Sequence, residues 1–123
     1  MIWRFDFQSE VPLYMQIRNQ VVLSISQGEL VPGEKLPTIR ALSEKSGINM
    51  MTISKAYQLL KTEGYVKTDR RSGTVVTEKS DAAEPTEQMT RQLRLVLAEL
   101  RLHGLSDSKI LTLCEQLLKE ETL

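Results

Sequence analysis

Apolar and polar positions along the 123-residue chain change period several times, and each change marks an element. Trp3, Phe5 and Phe7 alternate with Arg4 and Asp6, and a period of two predicts a short N-terminal strand. From Pro12, which suits a first helical turn, Tyr14, Ile17, Val21 and Ile25 recur on one helical face. Gly28 can take the positive φ that ends such a helix. Leu30 to Pro37 carries two prolines and a glycine and reads as an ordered loop. Thr38 is a good N-cap for a helix over residues 39–46, closed by Gly47. Asn49 caps the next helix, with Ile48 and Ile53 spaced as a hydrophobic staple. Ile53, Ala56, Tyr57 and Leu60 form its buried stripe, and Gly64 stops it. Two helices separated by a three-residue turn around Gly47 have helix-turn-helix spacing.

Residues 65–68 and 74–77 then read as β-strands joined by a polar loop, Asp69 to Gly73. Three helices followed by a hairpin give the order of a winged helix. Ser80 to Pro85 is a linker. Thr86 caps a fourth helix with Met89, Leu93, Val96, Leu97 and Leu100 on one stripe, ended by Gly104. Ser106 caps a fifth, whose Ile110, Leu111, Leu113, Cys114, Leu117 and Leu118 make a wide apolar band. So short a helical pair buries too little surface to stand alone and should pack on a second copy or back onto the N-terminal domain. The expected fold is therefore mainly α: a winged helix-turn-helix with a two-stranded wing at 1–79, a linker at 80–85, and a two-helix dimerisation hairpin at 86–123. Leu93, Val96, Leu97, Leu100, Ile110, Leu113, Cys114 and Leu117 are the expected dimer contacts.

Charge sharpens the division. The whole chain is neutral, with 16 basic and 16 acidic side chains. Residues 1–79 hold 11 basic against 8 acidic, residues 80–123 hold 5 against 8, and the window from Lys35 to Arg71 holds 8 against 3. A basic segment joined to an acidic one suggests a polyanion-facing module. All six aromatic residues lie in the first 65 positions. The single cysteine excludes an internal disulfide framework and a cysteine zinc cluster. With no signal-like leader and no apolar run of spanning length, the expected compartment is the cytoplasm, with no membrane partner.

Enzymatic chemistry finds no support. His103 is the only histidine and reads as a capping or half-buried residue. Cys114 has no basic neighbour in sequence to lower its pKa and reads as core. No phosphate loop or HExxH pattern occurs, and neither a metal nor a cofactor is expected. Nucleic-acid binding fits better. With Ile53 facing inward, about 100° per residue turns Met51, Lys55, Gln58 and Thr62 outward, with Thr52 and Ser54 on the flanks. Short polar side chains and a lysine can enter a major groove. Arg40 is placed to meet the backbone or a base. The candidate DNA contacts are Arg40, Met51, Thr52, Ser54, Lys55 and Gln58, with Arg70, Arg71, Ser72 and Gly73 at the wing tip. A rival reading is a winged helix used as a protein-interaction module, since exposed Met50 and Met51 suit an adaptable surface.

Residues 12–17 (Pro-Leu-Tyr-Met-Gln-Ile), 28–43 (Gly-Glu-Leu-Val-Pro-Gly-Glu-Lys-Leu-Pro-Thr-Ile-Arg-Ala-Leu-Ser) and 52–60 (Thr-Ile-Ser-Lys-Ala-Tyr-Gln-Leu-Leu), followed by Glu63-Gly-Tyr-Val66 and Gly73-Thr-Val-Val76, occur in an order that resembles the GntR family of bacterial transcription regulators. The short C-terminal part, with Gly104-Leu-Ser106 at its bend, resembles the YtrA subfamily. The resemblance implies a homodimeric winged-helix repressor that binds a two-fold double-stranded DNA operator, in this branch often that of a transporter operon. It places Arg40, Thr52 and Gly73 at positions that commonly touch DNA. Two departures stand out. Met50-Met51-Thr52 replaces the usual Arg-x-Thr or Pro-Asn-Thr, so an arginine contact at position 50 is absent. In the wing, Arg71 and Val75 replace a glycine and a phenylalanine. The hairpin lacks aromatics and convergent polar groups, so an unknown small-molecule effector would need a dimer or interdomain cleft.

Overall fold

The computed structural model describes residues 1–81 and 83–121. Position 82 of the expected linker and positions 122–123 of the expected hairpin lie outside them. The element order is α1 (Leu13–Ser26), α2 (Ile39–Ser46), α3 (Met50–Glu63), β1 (Val66–Asp69), β2 (Gly73–Val76), α4 (Glu87–Leu102) and α5 (Asp107–Glu121). The chain divides into two compact units, Met1–Lys79 and Ser80–Leu123.

The core of the first unit comes from the stripes of all three helices and from the hairpin. Ile17 and Val21 of α1, Leu42 of α2, Ile53, Ala56, Tyr57 and Leu60 of α3, and Val66 and Val76 of the strands are buried in one cluster. Ile48, in the turn between α2 and α3, joins it, as does Leu36. Burial of such side chains contributes about 1.5–3 kcal/mol each relative to exposure, so this cluster dominates the folding of the unit. An ion pair between Arg18 and Glu63 ties α1 to the end of α3, with Nε to Oε1 at 2.9 Å and a second parallel hydrogen bond from Nη2 to Oε2.

The N-terminal segment differs from expectation. Residues 3–7 form no strand. The alternation is there, since Trp3 and Phe5 pack on the core, but Phe7 is exposed. Among the described residues no neighbouring strand supplies a ladder. Two glutamines one turn apart on α1 take its place. The Arg4 N–H donates to Gln20 Oε1, and the Gln20 amide returns a bond to the Arg4 carbonyl. Asp6 exchanges the same pair with Gln16, at 2.9 Å in each direction. A side-chain amide carries one donor and one acceptor, as a peptide does, so it can satisfy an extended backbone without a strand.

The strands are antiparallel, with Val66 opposite Val76 and Asp69 opposite Gly73. Both begin one residue from the expected positions. The loop before α2 also proves to be part of this layer. Leu36 N–H donates to the Thr74 carbonyl at 2.9 Å, Gly33 N–H to that of Val76 at 2.8 Å, and Val76 N–H to that of Glu34 at 2.9 Å. The prolines flanking this stretch hide the pairing from a period-based reading.

In the second unit α4 and α5 form a hairpin. Thr86 accepts from the Met89 N–H, Gly104 turns the chain at φ +94°, and Ser106 accepts from the Lys109 N–H. A surface ion pair, Arg101 to Asp107, spans the bend at 3.0 Å. Ile110 is buried at 5 % exposure, and so shapes the hairpin rather than offering surface. Leu97, Leu100, Leu113 and Cys114 are half-buried, while Leu93, Val96, Leu111, Leu117 and Leu118 are exposed. His103 is the C-cap of α4. Among the described residues no helix is long and apolar enough to cross a membrane, and no group of side chains is arranged to hold a metal ion.

Candidate nucleic-acid interface

The turn between α2 and α3 is held by side-chain hydrogen bonds to its backbone. Thr38 Oγ1 accepts from the Ala41 N–H at 3.0 Å, which starts α2 and fixes Arg40 in its first turn. Gly47 ends α2 at φ +78°, a left-handed conformation that a residue with a Cβ adopts only at a cost. Ser43 Oγ donates to the Ile48 carbonyl at 2.6 Å. Ser46 Oγ accepts from the Ile48 N–H and donates back to the Leu42 carbonyl. Asn49 Oδ1 then caps α3 by accepting from the Met51 N–H at 2.7 Å. From the inner face of α3, Tyr57 donates its hydroxyl to the Pro37 carbonyl at 2.7 Å, and burial pushes its phenol pKa well up. Tyr57 is thus a core residue that clamps α3 to the residue just before the Thr38 cap of α2.

The opposite face of α3 is open. Met51 is 81 % exposed. Ser54, Lys55 and Gln58 are exposed as well, and Thr52 is half-buried on the flank. Met51, Ser54, Lys55 and Gln58 come together with Tyr14 of α1 along one shallow groove. The Lys55 ammonium lies over the Tyr14 ring, 4.0 Å from its centroid. Among the described residues, Arg40, Lys55, Arg70 and Arg71 form no ion pair, whereas Arg18 is neutralised by Glu63.

At the wing tip, Arg70, Arg71 and Ser72 connect β1 to β2. Gly73 sits at φ +80°, which this three-residue connection needs to return the chain. Asp69 organises it: one carboxylate oxygen accepts from the Arg71 N–H at 2.8 Å and from the Ser72 N–H at 3.2 Å. Those two backbone bonds hold its pKa below the ordinary carboxylate range. A carboxyl whose pKa is depressed in the fold stabilises it above its unfolded pKa, and that contribution is lost as the pH falls through the folded value. The tip is therefore expected to be tight at neutral pH and to loosen at acid pH. Amide exchange measures this: Asp69→Ala is expected to speed exchange of the Arg71 and Ser72 N–H groups at neutral pH and leave the α1–α3 amides unchanged.

All ten expected DNA contacts lie on the first unit, in α2, α3 and the wing tip. Sequence reading did not single out Tyr14, taken only as a stripe residue, or the part Asp69 plays. The Asp69-x-x-x-Gly73 spacing around the polar loop carries the Asp69 signal. Nothing in periodicity pairs Tyr14 with Lys55, because the two are 41 positions apart.

Residues 13–76 match the family of bacterial regulatory proteins described as the gntR family. The chain is 32 % identical to the HTH-type transcriptional repressor YtrA of Bacillus subtilis over 110 residues, which cover 87 % of this chain and 85 % of that protein. The structure of YtrA from Sulfolobus acidocaldarius, a GntR-family transcription factor, superposes with a TM-score of 0.65 at 33 % identity, covering 80 % of this chain and 96 % of that one. The AraR DNA-binding domain in complex with operator ORE1 is similar over 62 % of this chain and 95 % of its own, at 29 % identity and a TM-score of 0.51. The helix-turn-helix, the wing and these likenesses agree: this chain belongs to the GntR family of transcription regulators and is YtrA-like within it.

Proposed function

We propose that the protein is a homodimeric repressor that acts in the cytoplasm and binds a two-fold symmetric operator, with α3 in the major groove and the wing along the flanking backbone. The observation that carries the site is the outer face of α3. Short polar side chains and the Lys55 cation stand exposed there on a helix whose opposite face is fully buried. Lys55, Arg40, Arg70 and Arg71 supply positive charge that forms no ion pair among the described residues, as phosphate contacts require. Arg40 and Thr52 are assigned to base or backbone contact, Met51, Ser54 and Gln58 to the groove, and Ser72 and Gly73 to close approach of the wing. The exposed leucines of α4 and α5 support the assignment of the hairpin to dimerisation. Two such helices on one DNA face read half-sites about 34–36 Å apart. The repressor named YtrA and the operator-bound AraR domain support repression and operator binding by likeness, and the subfamily resemblance extends the target to a transporter operon.

In vitro selection from random duplexes, followed by titration of the selected sequence at several salt concentrations, tests this reading. The expected product is an inverted repeat with half-sites one helical turn apart. Affinity is expected to fall with salt at a slope of about 0.9 for each phosphate contacted. Selection that enriches no sequence at low salt removes the proposal.

A further inference from the structure

Helices α1 and α3 meet through charged side chains at two places, and the two are chemically opposite. Near the end of α3, Arg18 meets Glu63, and the pair carries no net charge. At the outer face of α3, Lys55 meets the Tyr14 ring at 4.0 Å. A ring quadrupole attracts a cation without neutralising it. Among the described residues, no carboxylate lines the groove that holds this second pair. A carboxylate there would fix the lysine equally well but would repel a phosphate. An aromatic face restrains the long, flexible side chain and leaves its full positive charge for an anion.

We infer that Tyr14 is a positioning residue for DNA binding: it holds the Lys55 ammonium on the outer face of α3 so that the cation is already placed when the phosphate backbone arrives. The inference rests on the DNA-facing assignment of α3. Four free rotors end in the lysine ammonium, and ordering them on binding costs affinity. The ring removes part of that cost in the free protein. Tyr14 sits in the first turn of α1 and is half-buried, so its ring is itself held by the helix that Gln16 and Gln20 tie to the N-terminal segment.

The test uses the full chain and the DNA sequence selected by the wild type. Four variants are compared: Tyr14→Phe, Tyr14→Leu, Lys55→Met and the Tyr14→Leu/Lys55→Met double, each checked for an unchanged melting curve. Phenylalanine keeps the π face and removes the hydroxyl; leucine keeps apolar bulk and removes the π face. Tyr14→Phe is expected to bind like the wild type. Tyr14→Leu is expected to weaken binding about threefold for each protomer on the DNA, the size of a partly exposed cation–π contact. Lys55→Met is expected to lower the salt slope by about 0.9 per protomer. In the Lys55→Met background, Tyr14→Leu is expected to add nothing. In the free protein the Lys55 ε-methylene protons are expected upfield by ring current in the wild type and in Tyr14→Phe, and unshifted in Tyr14→Leu.

Equal losses for phenylalanine and leucine would show that the Tyr14 hydroxyl touches DNA itself and would overturn the inference. So would an undiminished Tyr14→Leu effect without Lys55, an unchanged salt slope in Lys55→Met, or unshifted ε-methylene protons in the wild type. A wild type that selects no DNA defeats the DNA-facing assignment, and this inference with it, before any variant is compared. That outcome is therefore distinct from a failure of Tyr14 alone.

Discussion

Leu97→Asp is expected to convert the protein from two chains to one in solution and to weaken operator binding by roughly 100-fold or more, through loss of the second half-site contact. The hairpin explains why. Two helices can cover each other along one seam only. Here Ile110 fills that seam, and Leu97 and Leu100 are half-covered. Leu93, at 57 % exposure, and Leu118, at 63 %, remain in water with Val96, Leu111 and Leu117. So many exposed apolar side chains on one helical pair make it the candidate interface. A carboxylate at its centre cannot be buried without a partner, at a cost of several kcal/mol. Light scattering separates the states, since the dimer has twice the mass of the 14.0 kDa chain. Because Leu97 also lines the groove between α4 and α5, helicity is compared in parallel. Leu117→Asp, on a more exposed position, is expected to give the same monomer with its helices intact, and Gln92→Asp, on a polar position of α4, is expected to stay dimeric. A two-chain mass for both leucine variants would move the interface elsewhere.

The first unit was legible in the sequence where local chemistry decides structure. Thr38 and Asn49 accept the helix N–H groups their side chains suit, and Gly47 and Gly64 take the left-handed positions that end α2 and α3. With both ends of α3 fixed, helical geometry determines which residues face out, so the exposure of Met51, Ser54, Lys55 and Gln58 follows. What escaped depends on groups brought together from a distance. The alternation of Trp3, Phe5 and Phe7 does describe an extended segment, but period alone cannot tell whether a strand or a pair of glutamine amides will satisfy its backbone. The pairing of residues 33–36 with β2 crosses some 40 positions and is masked by prolines. The Lys55–Tyr14 contact is of the same kind: both residues were readable, and their meeting was not. The net neutrality of the chain, uninformative as a whole, resolves into a basic first unit, where Arg40, Lys55, Arg70 and Arg71 form no ion pair among the described residues, and an acidic second one.

The second large effect belongs to Arg40 and Thr52. The Arg40→Ala/Thr52→Ala variant is expected to lose at least about 1000-fold in affinity for the selected operator, taking the low end, about 1 kcal/mol, for each base-reading contact and two copies of each in a dimer. Stability should barely change. Arg40 is exposed and forms no ion pair among the described residues, and its loss leaves the Thr38 cap in place. Binding to unselected duplex at low salt should also survive, because Lys55, Arg70 and Arg71 still meet phosphates, and phosphate contacts carry affinity without sequence. The ratio of selected to unselected affinity therefore isolates base reading from electrostatics, which the loss of total affinity alone would not do. It also separates the regulator from a winged helix that uses its exposed Met50 and Met51 to hold a protein. In that case the double variant would keep its partner and show no ratio to lose, since the wild type itself would bind selected and unselected duplex alike. A ratio that is large in the wild type and collapses toward one in the variant places sequence recognition on the start of α2 and the first turn of α3. If the ratio stays large in the variant, recognition lies further along α3, at Ser54 and Gln58, and Arg40 is then a backbone contact only.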